Sequence, residues 1–126
     1  MMSHLMKTSL LPNEHLQKES RASWWRGLGT VSGRLYCTDQ RLMFESHKFN
    51  FRGGTTTIEL SQIIEARLGH RKLFGFFPLH SNCLEVQSQY GATRWFVVSD
   101  LLHWIITIDK LRTGTVQIAI PFSTIS

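Results

Sequence analysis

The sequence gives little support for a disulfide, a membrane-spanning helix or a secretion signal. It contains two cysteines, Cys37 and Cys83, three prolines and no long apolar run. The longest strongly apolar stretch in a helical context is W-I-I-T-I, residues 104–108, far short of the ~20 residues that span a bilayer. Residues 1–12 lack the apolar segment of a signal peptide. We therefore expect a cytoplasmic protein whose cysteines are reduced and behave as small buried hydrophobic residues.

Motifs of common catalytic and metal sites are also missing. The six histidines form no H-E-x-x-H pattern and no close Cys–His spacing, and there is no G-x-S-x-G, P-loop or Rossmann fingerprint. His70 and His80 flank an aromatic segment, and we interpret them as solvated loop residues rather than a metal pair. Glu59, Glu65 and Glu85 fall at strand-like polar positions and are expected to be solvated. The sequence thus predicts a protein that is not an enzyme and has no catalytic residue, metal or cofactor.

Charge gives only a weak indication of partners. The formal net charge is +5 and the pI about 9.7, without any run of like charge. A nucleic-acid reader should combine a basic stripe with aromatic residues in a recognisable motif, and no such motif is present. We therefore expect no nucleic-acid partner and keep nucleic-acid binding only as a remote alternative. A length of 126 residues, with 42% hydrophobic and 18% charged residues, indicates one globular domain, residues 1–126.

Turn signals divide the chain between residues 15 and 98 into about seven short strands. T-D-Q, residues 38–40, is a tight-turn signal between two of them. N-C-L-E-V-Q-S, residues 82–88, alternates apolar and polar residues, as half-buried strands do. In the first strand Trp24 and Trp25 are adjacent and must point to opposite faces. One of the two rings is therefore expected in the core and the other partly exposed or covered by a partner.

At Ser99 the periodicity changes from strand to helix. Apolar residues at helical spacing then define one face, formed by Leu101, Trp104, Ile105, Ile108 and Leu111. Ser99 is the expected N-cap and Gly114 the expected stop, so the pattern predicts a helix over residues 99–112 with Trp104 buried. Outside these elements, residues 114–126 are predicted to form an extra strand-like tail and residues 1–13 a loose lead-in.

The hairpin G-R-L-Y-C-T-D-Q-R-L-M-F-E-S, residues 33–46, resembles a hairpin of the GRAM and bacterial pleckstrin-homology (PH)-like domains. Three further segments resemble pieces of that family in the same order: L-L-P-N-E-H-L before the hairpin, T-I-E-L-S-Q-I-I-E-A after it, and T-R-W-F-V-V-S-D leading into the Trp104 helix. The resemblance covers roughly Leu10 to Arg112. It implies a mainly β fold, a PH-like antiparallel β-sandwich or partial barrel of about seven strands capped by a C-terminal amphipathic helix.

The segment R-K-L-F-G-F-F-P-L, residues 71–79, is unusually apolar for a loop. Core packing, a protein interface and membrane contact all remain open for it. Adjacent Phe76 and Phe77 cannot both face inward in an extended chain, whereas Phe74 is expected to be buried. Neighbouring cations would suit an anionic lipid surface. The candidate ligand- or partner-binding residues are Arg67, Arg71, Lys72, Leu73, Phe76 and Phe77.

Apolar surface left over elsewhere favours self-association. The candidate oligomer-interface residues are Trp25, Leu102, Ile106, Val116 and Ile118. The resemblance implies that such domains bind lipids or proteins and, in bacteria, often assemble into oligomers. We therefore expect a non-enzymatic PH-like domain that mediates protein–protein interaction or homo-oligomerisation. The alternative is a peripheral membrane module that binds anionic lipid or phosphoinositide.

Overall fold

The computed structural model describes residues 6–26, 29–47, 55–73, 77–89 and 91–119, and of residues 70–73, 77–82 and 114–119 it describes the backbone alone. All strand pairs are antiparallel, in the order β4-β3-β2-β1-β7-β6-β5. The elements are β1 Leu16–Arg26, β2 Gly29–Thr38, β3 Arg41–Ser46, β4 Thr55–Glu59, a 3-10 turn Leu60–Gln62, β5 Ile63–Leu73, β6 Phe77–Ser88, β7 Thr93–Val97 and α1 Leu101–Ala119. The mainly β fold with seven strands and a C-terminal helix confirms the prediction.

The sheet curls back on itself into a partial barrel. Strands β4 and β5 are its two edges, yet only Leu60–Gln62 separate them in sequence. Seven flat strands spaced ~4.8 Å apart would put these edges about 29 Å from each other. The short connection spans at most about 14 Å. Because the chain cannot bridge a flat sheet, the twist of the strands must bring the two edges towards each other.

The inner face of the curled sheet and one side of α1 enclose the main core. Trp104 and Ile108 enter it from the helix and are completely buried, together with residues of most strands. The indole N–H of Trp104 also donates a hydrogen bond to Ser20 Oγ at 3.0 Å. The helix packs against β5, the 3-10 turn and β6. The burial of Trp104 is therefore confirmed, and the single apolar face of α1 exists to cover the open side of the sheet.

The two adjacent tryptophans of β1 point to opposite faces, as the strand period requires. Trp24 is half-buried on the core side, where its ring lies 5.6 Å from that of Phe44 and 6.1 Å from that of Phe96, between centroids. Trp25, on the outer face, is only 4% exposed. Its ring therefore offers almost no surface to a second chain, contrary to the expectation that placed it in an oligomer interface.

The helix begins and ends later than predicted. It starts at Leu101, preceded by Asp100 rather than by Ser99 as cap, and the Asp100 carboxylate pairs with Lys18 Nζ at 3.3 Å. It then continues through Gly114 to Ala119, so the strand-like tail predicted from residue 114 is wrong as far as residue 119. One glycine costs a helix only about 1 kcal/mol relative to alanine. A few alternating β-branched residues are too short a pattern to distinguish strand from helix.

Residues 6–13, predicted to be a loose lead-in, lie against the outer face of β2 and β3. Met6 packs on a small outer cluster of Leu16, Tyr36 and Met43. The buried carboxylate of Glu45 accepts hydrogen bonds from the backbone N–H groups of Lys7 and Thr8 and from the Thr8 hydroxyl, at 2.7 to 3.2 Å. Backbone donors that would otherwise face solvent are thereby paired, which attaches this segment to the sheet.

Candidate functional site

A buried ion pair secures the β2–β3 turn to the N-terminal segment. Arg41 donates Nε to Glu14 Oε2 at 2.7 Å and Nη2 to Glu14 Oε1 at 3.0 Å. The Thr38 hydroxyl donates to the same carboxylate at 2.6 Å, and the Leu11 N–H donates to it at 2.7 Å. Burial alone would raise the pKa of Glu14, but these bonds and the Arg41 charge hold it below its ordinary value. With its carboxylate fully occupied, Glu14 serves the fold rather than a ligand.

The neighbouring polar and thiol groups of this turn are also engaged or inert. The ring Nδ1 of His15 lies 3.0 Å from Asp39 Oδ2, and the backbone N–H of His15 donates to Asp39 Oδ1. Burial alone would raise the pKa of Asp39, but these bonds with His15 hold it below its ordinary value. Burial, with the Asp39 charge adding to it, raises the pKa of Cys37 to about 12. Cys37 and Cys83 are not joined in a disulfide, and both are completely buried, as expected of small hydrophobic residues.

A second polar cluster ties together β5, β6 and β7 on the outer face. Glu85 Oε2 accepts Nε and Nη2 of Arg67, at 3.1 and 2.8 Å, and the side-chain amide of Gln87, while Oε1 accepts the indole N–H of Trp95. Glu85 is buried, so the expectation that it is solvated was wrong; its charge is compensated by these four donors. Any Cβ at Gly69 would lie 2.6 Å from Glu85 Oε1, so only glycine leaves room for the carboxylate.

The candidate binding residue Arg67 thus already makes ion pairs within the chain. Its guanidinium bonds Glu85 and lies 3.7 Å from Glu65, while about half of its side chain remains exposed. Of the other candidates in this region, Arg71, Lys72 and Leu73 end β5 and Phe77 begins β6, with Leu73 paired to Phe77 in register. The segment is therefore the end of a hairpin. Phe74 and Phe76 lie outside the described residues, as do the side chains of the other four.

Large apolar side chains are exposed on two contacting elements. On α1, Leu102 is 68% and Ile106 55% exposed; on β5, Ile64 is 52% and Leu68 48% exposed. Leu102 and Ile106 are four residues apart and form one stripe on the helix surface, away from the buried face. Both side chains are thus accessible to another chain, and their part in an oligomer interface stays a prediction. The other two helical candidates, Val116 and Ile118, lie on α1, but their side chains lie outside the part of the structure described.

Strand β5 is also a long sheet edge. It pairs with β6 on one side, and no strand within the described ranges pairs with its other side. A bulge at Ile63 to Glu65 precedes a regular stretch in which Glu65 and Arg67 point outward. The sequence did not single out Ile64 or Leu68. Only the strand order, which makes β5 an edge, leaves their side chains exposed.

An open groove of about 620 Å³ lies over the middle of β1 and β2, beside the end of β7. Its polar lining consists of Arg21, Ser23, Ser32, His47 and Ser99, and no carboxylate is among its described lining residues. The small Ser23 and Ser32 side chains form the floor because the two residues pair directly across β1 and β2. The exposed Arg21 makes no ion pair with any described residue, unlike Lys18, Arg34 or Arg41. The groove is thus a cationic hollow, which no motif in the sequence indicated.

Two negative findings limit other kinds of site. Among the described residues, no three His, Cys, Asp or Glu side chains are placed to share a metal ion. Within the same ranges, no helix is both long enough and apolar enough to cross a bilayer.

Comparison with solved structures defines the class of fold. The N-terminal PH domain of Vps36 superimposes with a TM-score of 0.65 at 12% identity, covering 86% of each chain. The hSac2 domain of the human phosphoinositide phosphatase Sac2 gives 0.64 at 11% identity, over 85% of this chain and 74% of that one. The C-terminal domain of an unknown protein from Leishmania infantum gives 0.65 at 16% identity, covering 81% and 87%. The curled sheet with its covering helix is therefore a PH-like fold.

The family follows from the sequence match. The model of the GRAM domain matches residues 2–77, more than half of the chain. This protein belongs to the GRAM domain family, as the hairpin at residues 33–46 indicated. A search of the curated proteins found no match to the sequence. GRAM and PH-like domains bind lipids or proteins in general, and that is the level at which the family describes this chain.

Proposed function

We propose that this protein is a non-enzymatic assembly domain of the cytoplasm that associates with a second copy of itself through α1 and β5. The observation that carries the proposal is where the exposed apolar residues lie. Of the five large hydrophobic residues exposed in the described chain, four lie on these two contacting elements, and Leu11 alone lies elsewhere. Large apolar side chains gathered on neighbouring elements are typical of an interaction surface.

The polar chemistry of the fold supports a binding role rather than a catalytic one. The three buried carboxylates described above, those of Glu14, Glu45 and Glu85, all accept hydrogen bonds from donors within the chain. The buried thiol of Cys37, with its pKa raised to about 12, is a poor nucleophile. The carboxylates hold the strands in place, and neither they nor the thiol are in a state suited to act on a substrate.

The test is the solution mass of helix variants, measured by light scattering. Leu102→Asp and Ile106→Asp place charge on the exposed stripe. The wild-type protein should be associated, whereas these two variants should be monomeric. The matched control is His103→Asp, which makes a similar change at an exposed position of the same helix. Circular dichroism should be unchanged in all three, because none of these side chains is in the core. Equal association of the wild type and both stripe variants would refute the role of α1.

A second candidate function, binding to an anionic membrane surface, is favoured by the cationic groove. Arg21 and His47 line it together with three serine hydroxyls, and guanidinium and hydroxyl groups suit phosphate oxygens. Arg71 and Lys72 on the β5–β6 hairpin would add to the attraction. The fold is shared with a domain of a phosphoinositide phosphatase, which is a likeness of fold alone. Under this alternative the protein would be peripheral to a membrane.

Co-sedimentation with vesicles separates the two functions. Vesicles of phosphatidylcholine with phosphatidylserine should retain the protein if the groove binds lipid, and Arg21→Gln should reduce the bound fraction. Lys110→Gln removes an equal charge from an exposed position outside the groove and is the matched control. Raised salt should weaken a true lipid contact, because exposed charges are screened. No retention by anionic vesicles at low salt would exclude the lipid alternative.

A further inference from the structure

We infer that two copies of this chain join by antiparallel pairing of their β5 edges, with the twofold axis at Ala66. This inference rests on the proposed self-association and specifies its geometry. The two curled sheets would then form one continuous sheet across the axis. The inference depends on the pattern of side chains along β5, which is self-complementary in this register.

The free edge of β5 supplies the hydrogen-bonding groups. On the side away from β6, the backbone of this strand faces no described strand, so its N–H and C=O groups form a template for another chain. The central part of the strand is correspondingly open. Glu65 and Arg67 have 45% and 49% of their side chains exposed, and Ile64 and Leu68 are exposed to a similar extent. Ala66 between them is buried against the core.

Around Ala66 the strand is complementary to itself. In antiparallel pairing about this residue, Glu65 lies opposite Arg67 of the second copy, and Arg67 lies opposite its Glu65. On the other face, Ile64 lies opposite Leu68 of the second copy, and the reverse. Each twofold-related contact is therefore either an opposite-charge pair or an apolar pair, the two kinds of cross-strand neighbour that stabilise a sheet. The exposed apolar side chains of both copies become covered at the same time.

The adjacent registers lack this complementarity. A twofold axis at Glu65 places that carboxylate directly opposite its own copy, and an axis at Arg67 places two guanidinium groups opposite each other. Like charges directly opposite destabilise a strand pair. Moving the axis by one residue shifts the register by two residues, so each side chain keeps its face and only its partner changes. The charge order Glu65, Ala66, Arg67 therefore specifies one register.

The contact is small, so the association should be weak and dependent on concentration. A paired segment of this length buries less than the roughly 1,200 Å² at the lower end of stable interfaces. The bulge beginning at Ile63 restricts how far the pairing extends. A dimer that forms at micromolar to millimolar concentration and dissociates on dilution is the expected behaviour.

Cysteine cross-linking tests the register directly. Ile64→Cys and Leu68→Cys are made as separate chains, mixed and oxidised. In the inferred dimer, position 64 faces position 68 of the other copy, whereas two copies of position 64 lie about 13 Å apart along the strands. The mixture should therefore form a covalent dimer at least about tenfold faster than either variant alone. The native thiols do not interfere, because Cys37 and Cys83 are buried.

A charge variant tests the same contact in the non-covalent dimer. Glu65→Lys places a lysine opposite Arg67 of the second copy and should weaken dimerisation at least about tenfold, less so in high salt. Within the chain the substitution removes only a 3.7 Å contact between exposed groups, so the fold should be kept. The matched control is Glu59→Lys on β4, the opposite edge of the sheet, which should dimerise as the wild type does.

The outcomes separate this inference from the proposed function. Two results together support pairing at Ala66: selective cross-linking of the mixture, and a dimer that is weakened by Glu65→Lys but not by Glu59→Lys. A wild-type dimer that is weakened by Leu102→Asp but unaffected by Glu65→Lys, without selective cross-linking, overturns the inference and leaves self-association standing. A wild-type protein that is monomeric at millimolar concentration overturns both.

Discussion

The guanidinium of Arg41 lies against the carboxylate of Glu14, with Nε 2.7 Å from Oε2 and Nη2 3.0 Å from Oε1. The pair joins the first residues of β3 to the segment before β1, 27 positions away in sequence. Both residues belong to the segments that resembled the GRAM family. The structure supplies a physical reason for that pattern: the arginine neutralises a carboxylate that the hairpin turn buries.

Removing one partner of this pair should be strongly destabilising. Arg41→Met leaves Glu14 charged and buried, and should lower the free energy of unfolding by about 3 kcal/mol. Urea denaturation followed by tryptophan fluorescence measures the change. Asp109→Asn, which removes the half-exposed carboxylate that pairs with Arg112, should cost less than about 1 kcal/mol. Similar losses for the two variants would show that the Arg41 pair is no more than a surface contact.

Stability should fall in acid because of Glu14. Its pKa is lowered in the folded protein, so the unfolded chain binds this proton more readily. The contribution is complete above the ordinary glutamate pKa, about 4.3, and is lost as the pH falls from there through the lower folded value. Asp39 acts in the same direction. Urea midpoints measured from neutral pH down to acid should fall less steeply for Glu14→Gln than for the wild type; parallel curves would contradict this account.

The thiols should be unreactive until the protein unfolds. Burial raises the pKa of Cys37 to about 12, so almost no thiolate is present at neutral or mildly alkaline pH, and Cys83 is buried as completely. Thiol titration without reductant should find no reactive group in the native protein and two in denaturant. Rapid labelling of the native protein would mean that the β2–β3 region opens far more readily than this packing allows.

Gly33 should not tolerate a side chain. A Cβ at this position would contact the backbone carbonyl oxygen of Glu45 and lie 2.9 Å from Ser46 Cα, and backbone atoms of a paired strand cannot move aside cheaply. Gly33→Ala should therefore cost about 2 kcal/mol or more. At Gly29 a Cβ meets nothing within 4 Å, so Gly29→Ala is the matched control with an effect below about 1 kcal/mol. If the two variants had the same thermal midpoint, the close approach of β3 to Gly33 would be contradicted.

The sequence predicted those parts of the fold that have a strong local signal. Strand alternation, the T-D-Q turn and the helical spacing around Trp104 each depend on residues close in sequence, and the structure agrees with all three. The end of the helix was missed because Gly114 is a weak signal when the helix around it is otherwise continuous. Local patterns describe element type well and element length poorly.

The surface features could not be predicted, because they depend on long-range pairing. Alternation placed Trp24 and Trp25 on opposite faces, but did not indicate which face would be covered. Glu85 was expected to be solvated, because its donors Arg67 and Trp95 come from other strands and their proximity cannot be seen in the sequence. Likewise, only the strand order reveals that Ile64 lies on a sheet edge. The part that β5 takes in self-association is thus a proposal drawn from the fold, whereas Leu102 and Ile106 of α1 were already candidates from the sequence.

Sedimentation equilibrium of the wild-type protein over a wide concentration range tests this central claim most directly. The account predicts that the weight-average mass rises from 14.6 kDa at low concentration towards twice that value at millimolar concentration. The rise should be fully reversible on dilution and should disappear in Leu102→Asp. A mass that stays at 14.6 kDa throughout the range would contradict the proposal that this GRAM domain assembles with itself.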